Sequence, residues 1–258
     1  MFPSHPFPSL MLLALGLISA ATAVQAADTT VIELRTYTTL PGRLDALLAR
    51  FRDHTCKLFE KHGMVNVGYW VPLDEKDGAG KKLIYLLQHR SREAAAASWK
   101  AFGADPTWVA ARTASETSGK IIEKVEAVFL SPTDYSPAWE SARAGGGNRV
   151  FEMRTYLAAE GKLPALNARF RNHTLGLFRQ HGMTNVIYLH PLDADKGAGK
   201  TLLYFMAYPN RDVATKAWAA FRADPVWTKA KSNSEKDGSL TAKVESVYLA
   251  PVDFSALK

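Results

Sequence analysis

Two histidine pairs have the side chains for metal binding or proton transfer: His54 and His62 in "HTCKLFEKHGM", and His173 and His181 in "HTLGLFRQHGM". Their spacing argues against a shared metal. Eight residues of helix rise about 12 Å, whereas metal-binding histidines on one helix sit about four apart. No His/Cys/Asp/Glu cluster supplies other ligands, so neither a metal nor a cofactor is expected. His62 and His181 each precede a glycine, the place where a helix ends and an imidazole can bond its last carbonyls. His54 and His173 precede threonines near an apolar stripe and are secondary candidates for acid/base work.

A second group lies on a strand. In Val31–Tyr37 the side chains alternate, with Ile32, Leu34 and Thr36 on one face and Glu33, Arg35 and Tyr37 on the other. An arginine, a tyrosine and carboxylates on one face could hold a small polar or aromatic ligand. Strand pairing should add Tyr85, Lys124 and Glu126 to this face, with Asn66 or Tyr69 from the second strand. The set recurs as Glu152, Arg154, Tyr156, Asn185, Tyr204, Lys243 and Glu245. The competing reading is structural: Arg35 with Glu126, and Arg154 with Glu245, as mutually satisfying ion pairs between sheets.

The recurrence is general. Residues 31–136 align on 150–255 without a gap, so that "VIELRTY" becomes "VFEMRTY", "ARFRDHT" becomes "ARFRNHT" and "NVGYWVPLD" becomes "NVIYLHPLD". Each copy reads strand, helix, strand, strand, helix, strand. Asp105 and Pro106 open a further short helix as cap and first-turn residue. The tryptophans Trp99, Trp108, Trp218 and Trp227 read as core. "DGAGKK" and "KGAGK" lack the spacing of a phosphate-binding loop and read as hairpin turns. The fold class is α+β: two ferredoxin-like βαββαβ units packing sheet to sheet as an eight-stranded barrel, with helices outside and a cavity between the sheets.

The domain boundaries follow. Residues 1–26 lack Asp, Glu, Lys and Arg, carry an apolar run from Leu10 to Ile18 and end in small residues, which predicts an export signal cleaved near Ala26–Ala27 and a periplasmic or secreted protein. Residues 27–135 form the first unit, 136–149 a flexible linker around Gly145–Gly147, and 150–258 the second. Extended, the linker could reach about 46 Å, which favours closure within one chain, with homodimerisation open. No stable membrane span is expected. The net charge of +7 is scattered with both signs, which argues against a nucleic-acid partner. Cys56 is the only cysteine and falls opposite Leu175, so it reads as a small apolar residue, not a reactive thiol.

The "ELRTY" and "EMRTY" openings, the "F…HGM.NV.Y" passage and the "F.ADP.W" segment, in this order in both copies, resemble the NIPSNAP domain family. The resemblance implies the dimeric α/β-barrel superfamily, which also contains antibiotic-biosynthesis-type monooxygenases and muconolactone-isomerase-like proteins, and it implies no agreed reaction. Two functions are therefore expected to compete. One is binding of a small molecule in the inter-sheet cavity, with cofactor-free monooxygenase or isomerase chemistry in which Arg35 and Arg154 hold an anion. The other is a non-catalytic scaffold whose sheet face is an assembly interface.

Overall fold

The computed structural model describes Met1, residues 30–147 and residues 149–258; the expected export signal lies outside them. The first unit contains β1 (Val31–Thr39), α1 (Leu44–Arg50), α2 (Cys56–Lys61), β2 (Val65–Pro72), β3 (Lys82–His89), α3 (Arg92–Ala104), α4 (Pro106–Ser115) and β4 (Ile122–Pro132). The second repeats it as β5 (Val150–Ala158), α5 (Leu163–Arg169), α6 (Leu175–Gln180), β6 (Thr184–Pro191), β7 (Thr201–Tyr208), α7 (Arg211–Ala223), α8 (Pro225–Ser234) and β8 (Thr241–Pro251). Each unit is an antiparallel sheet ordered β2-β3-β1-β4 or its equivalent, and the eight strands close into one barrel within the chain. The sheets join at two short seams. Trp70–Pro72 pairs with Leu249–Pro251, and Leu130–Pro132 with Leu189–Pro191.

The barrel interior is a packed core, where the sequence had pointed to a cavity. Ile32, Leu34, Ile84, Leu86 and Trp70 of the first sheet meet Phe151, Leu189, Leu203 and Phe205 of the second, all buried. Two sheets that each bury an apolar face fill the space between them with those side chains. The face of Glu33, Arg35 and Tyr37 is therefore the outer face of the sheet, covered by helices.

The linker also differs from expectation. Trp139–Gly145 forms a 3-10 helix, and Trp139 and Ala142 enter the barrel core, joined there by Leu257 near the C-terminus. The Trp139 indole donates to Gln88 Oε1 at 2.8 Å. An apolar linker residue buried against the mouth of the barrel gains more than a solvated spacer would. Arg149 donates to the Ala142 carbonyl and to the Lys258 carbonyl, each at 2.5 Å, so it clasps linker to C-terminus. At the surface, Arg211 reaches Asp74, Arg92 reaches Asp193, Arg171 reaches Asp134 and Arg52 reaches Asp253, each pair spanning the two halves.

The helix expected between Pro41 and Gly63 is interrupted. Phe51–Thr55 forms a π-helical turn between α1 and α2, and Phe170–Thr174 does the same between α5 and α6. In each, a buried threonine hydroxyl donates to the carbonyl five residues back, Thr55 to Arg50 at 3.1 Å and Thr174 to Arg169 at 3.2 Å. A side-chain donor there competes with the regular ladder and favours the wider turn.

Candidate functional site

The strand residues singled out by sequence meet beneath α3. Glu33 is almost fully buried, and both its oxygens are occupied. Arg35 donates to Oε1 at 2.6 Å, Trp99 Nε1 donates to Oε2 at 2.8 Å, and His89 Nε2 lies 2.9 Å from Oε2. Burial disfavours the charged carboxylate, but His89, Arg35 and Trp99 together outweigh it and hold its pKa below the ordinary value. The Arg35 guanidinium lies 4.2 Å from the centroid of the Trp99 ring. The second half repeats this with Arg154, Trp218 and Glu152, but Tyr208 replaces His89 and donates at 2.7 Å, and Ser246 adds a donor at 2.5 Å. These carboxylates organise the sheet–helix interface. Glu152 accepts four hydrogen bonds, and Glu33 is held by Arg35, Trp99 and His89, so neither is placed as a base.

Tyr37 connects this network to open space. Its hydroxyl lies 3.5 Å from Arg35 Nη2, and it lines a cavity of about 400 Å³ between the sheet and the helices. Phe51, Phe59, Phe102 and Trp108 supply aromatic walls, and Arg50, Arg112, Lys120 and Glu116 supply the charged ones. Arg50 meets Glu116 at 3.2 Å, and Arg112 approaches the same carboxylate at 3.9 Å, which leaves cationic charge in excess. The π-helical turn places Phe51 and Thr55 in the wall on adjacent turns. A cavity of about 180 Å³ occupies the same place in the second half, lined by Tyr156, Arg169, Phe170, Trp227, Lys231 and Glu235 among others. There Ser239 stands where the first half has Lys120.

Several expectations need correction. Glu126 and Glu245 take no part in the site. They sit exposed on β4 and β8 and pair with Lys124 at 2.8 Å and Lys243 at 2.5 Å, because Arg35 and Arg154 are already satisfied by carboxylates two residues away on their own strands. Asn66 and Asn185 fasten helix ends instead of lining these cavities, donating to the carbonyls of Cys56 at 3.0 Å and Leu175 at 3.1 Å. Tyr85 and Tyr204 are fully buried beneath the helices, stacked on Tyr69 and Tyr188 at centroid distances of 5.1 and 5.0 Å. Burial pushes both phenols well above their ordinary pKa, so they stay protonated. His54 and His173 are exposed and line shallow outer grooves between α1 and α4 and between α5 and α8, away from the aromatic cavities. His62 and His181 bond carboxylates, with Nε2 2.8 Å from Asp105 and Asp224. Those same aspartates cap α4 and α8, as expected.

Cys56 is mostly buried, and desolvation pushes its thiol up to about 12, in line with a packing role. Among the described residues, no group of three or more His, Cys, Asp or Glu is placed to hold a metal, and no helix is long and apolar enough to cross a membrane.

The cavity residues Arg50, Thr55, Trp108, Arg112, Glu116 and Lys120 were not singled out by sequence reasoning. One signal was available: "ARFR" retains an arginine inside the apolar stripe of both copies, and a buried cation in a helix face needs a partner or a site.

Fold and site together define a barrel of the dimeric α/β type, closed within one chain and bearing one sheet–helix cavity per half. The NIPSNAP family model matches residues 32–137 and 151–256, and the chain belongs to that family. No curated protein matches it. Among solved structures it is similar to a proposed monooxygenase of Fusobacterium nucleatum, at 11% identity and a TM-score of 0.56, over 90% of this chain and 94% of that one. A proposed monooxygenase of Lactobacillus acidophilus is similar at 11% identity and a TM-score of 0.55, over 86% and 94%. An anthrone oxidase-like protein is similar at 15% identity and a TM-score of 0.53, over 90% and 95%. At these identities the likeness concerns the fold.

Proposed function

We propose that the protein binds a small planar aromatic anion in the sheet–helix cavity of its first half. The observation that carries this is the composition of that cavity: aromatic walls around a volume of about 400 Å³, with Arg50, Arg112 and Lys120 set against the single carboxylate of Glu116. Apolar walls with a few convergent charges are what a ring bearing a carboxylate or phenolate requires. The space between the sheets offers no room for such a ligand, since buried side chains fill it. Neighbours described as proposed monooxygenases and as anthrone oxidase-like make an electron-rich aromatic the first class to assay for dioxygen uptake. Tyr37, at the cavity wall and beside the Arg35 cation, is the hydroxyl best placed to touch such a ring.

The test is a titration with 1-hydroxy-2-naphthoate followed by tryptophan fluorescence, since Trp108 lines the cavity. Saturable quenching is expected, weakened roughly tenfold when Arg112 and Lys120 are both replaced by alanine. Absence of saturable quenching would remove the proposal and favour the scaffold reading.

We also propose export, on the composition of residues 1–26. Intact mass of the protein from a periplasmic extract should begin at Ala27. Retention of Met1 in a purely cytosolic pool would overturn it.

A further inference from the structure

The second half carries a cavity of its own, of about 180 Å³, between its sheet and its helices. Its walls are aromatic. Tyr156, Phe170, Phe178, Phe221 and Trp227 all line it, and the three phenylalanines are almost fully buried. Phe170 meets Phe178 edge-on at 6.4 Å and 80°, and Phe221 meets Trp227 tilted at 4.4 Å and 35°. Such a box offers both faces and edges to a further ring. Size limits the guest: a cavity of about 150 Å³ with apolar walls takes one benzene ring.

Charge limits it as well. Arg169 lies in the wall but is already engaged. Its Nη1 donates to Glu235 Oε1 at 2.7 Å and to Ser234 Oγ at 3.2 Å, and the guanidinium sits 5.2 Å from the Trp227 centroid. Lys231 is the other cation of the wall, and it is exposed at the rim. Arg112, at this position in the first half, leans on Glu116 at 3.9 Å, whereas Lys231 joins no ion pair among the described residues. The cavity thus combines a buried apolar box with one unpaired ammonium at its mouth.

The mouth itself departs from the first half. Ser239 and Thr241 stand where that half has Lys120 and Ile122. Ser239 Oγ donates to the Thr241 carbonyl at 2.9 Å and accepts from the Thr241 amide at 3.2 Å. Both residues line the cavity, so this closed turn fixes one edge of it.

We propose that the second-half cavity binds a single-ring aromatic acid, its ring inside the box and its carboxylate at Lys231. This rests on the same chemistry as the first-half proposal, an aromatic box with a cationic rim, applied to a separate and smaller box. The chain then carries two aromatic sites sorted by size, one for two fused rings and one for a single ring.

The experiment uses benzoate on the intact chain labelled with 5-fluorotryptophan, followed by ¹⁹F NMR. Trp108→Phe and Trp227→Phe identify the resonance belonging to each cavity. Benzoate should shift the Trp227 resonance saturably, and Lys231→Ala, a change at an exposed position, should weaken that titration roughly tenfold. Replacing Arg112 and Lys120 by alanine should leave it unchanged. No saturable shift at Trp227, a shift confined to Trp108, or undiminished affinity in Lys231→Ala would overturn the proposal. Cyclohexanecarboxylate binding as tightly as benzoate would overturn the aromatic class, and 1-hydroxy-2-naphthoate titrating Trp227 as well as benzoate does would overturn the one-ring limit. A chain that answers benzoate at Trp227 but not naphthoate at Trp108 would keep this site and remove the first-half one.

Discussion

Glu33 and Arg35 meet at 2.6 Å beneath α3, side by side on one strand. The pair does not bridge the two sheets. Its helix-facing position makes it a structural pair first, with Trp99 and His89 completing the carboxylate's shell. Removing the carboxylate strands a largely buried guanidinium. Glu33→Ala should therefore cost roughly 3–5 kcal/mol, read as a fall in the urea midpoint. Glu152→Ala should act alike in the second half. A cost below about 1 kcal/mol would show that Arg35 readily finds another partner or water.

Acid should unfold the protein through a small set of carboxylates. Lys61 and His62, helped by the Thr107 amide, hold Asp105 well below the ordinary range. At Asp224 the chief cause is His181, and at Glu33 the burial penalty is outweighed by His89, Arg35 and Trp99. Each folded pKa is depressed. Their contribution is thus fully present above the unfolded value, near about 4, and is lost as pH falls through the lower folded value. Thermal midpoints should be flat from pH 7 to 5 and drop steeply below about pH 4. Asp105→Asn should lower the midpoint at pH 7 and flatten the acid limb. An unchanged acid limb would exclude Asp105 from the set.

The repeat made most of the architecture legible. One offset of 119 reproduces every strand and helix boundary, and the strand order in each unit is the expected one. What failed was the choice of face. On β1 the apolar set Ile32 and Leu34 and the polar set Glu33, Arg35 and Tyr37 are both covered, one by the opposite sheet and one by helices. Alternation reveals two faces without saying which neighbour each receives. The indole of Trp99 decides it by giving Glu33 a donor from the helix side, a long-range contact with no local sequence signature. The linker departs from expectation for a related reason: Gly145–Gly147 suggest flexibility, whereas Trp139 a few residues earlier is too large an apolar group to leave in water.

Trp139→Ala should accordingly destabilise the whole barrel, not merely loosen a tether. The side chain is 4% exposed, packs in the inter-sheet core and donates to Gln88. A loss of about 3–5 kcal/mol is expected, measured by chemical denaturation. Limited proteolysis should then cut within residues 136–149 faster than in the parent. Equal stability and equal cutting would return this segment to the status of a spacer.

The two aromatic cavities should not bind alike. The first holds about 400 Å³ and Lys120; the second holds about 180 Å³ and Ser239 at the same place. Titration with 1-hydroxy-2-naphthoate should give one site per chain. Ser239→Lys adds the missing cation but no volume, so a second site should stay absent or far weaker. Two equal sites in the parent would show that volume does not govern binding.

The halves also solve one packing problem in two ways, which offers a sharper test of the barrel core. Trp70 is fully buried and packs on Phe151 and Phe205, and its ring occupies the space where a side chain on Gly68 would project. In the second half the same two positions hold Ile187 and Leu189. Volume has moved by two residues along the strand, on the same inward face. Gly68→Ile alone should then overpack the core and cost at least about 1–3 kcal/mol, and Trp70→Leu alone should open a void of comparable cost. The double variant Gly68→Ile with Trp70→Leu imports the second half's pairing and should be more stable than the sum of the single losses, by about 1 kcal/mol or more. The double-mutant cycle in urea measures that coupling. Strict additivity would mean that the two positions do not share one space, against the contact the backbone geometry requires.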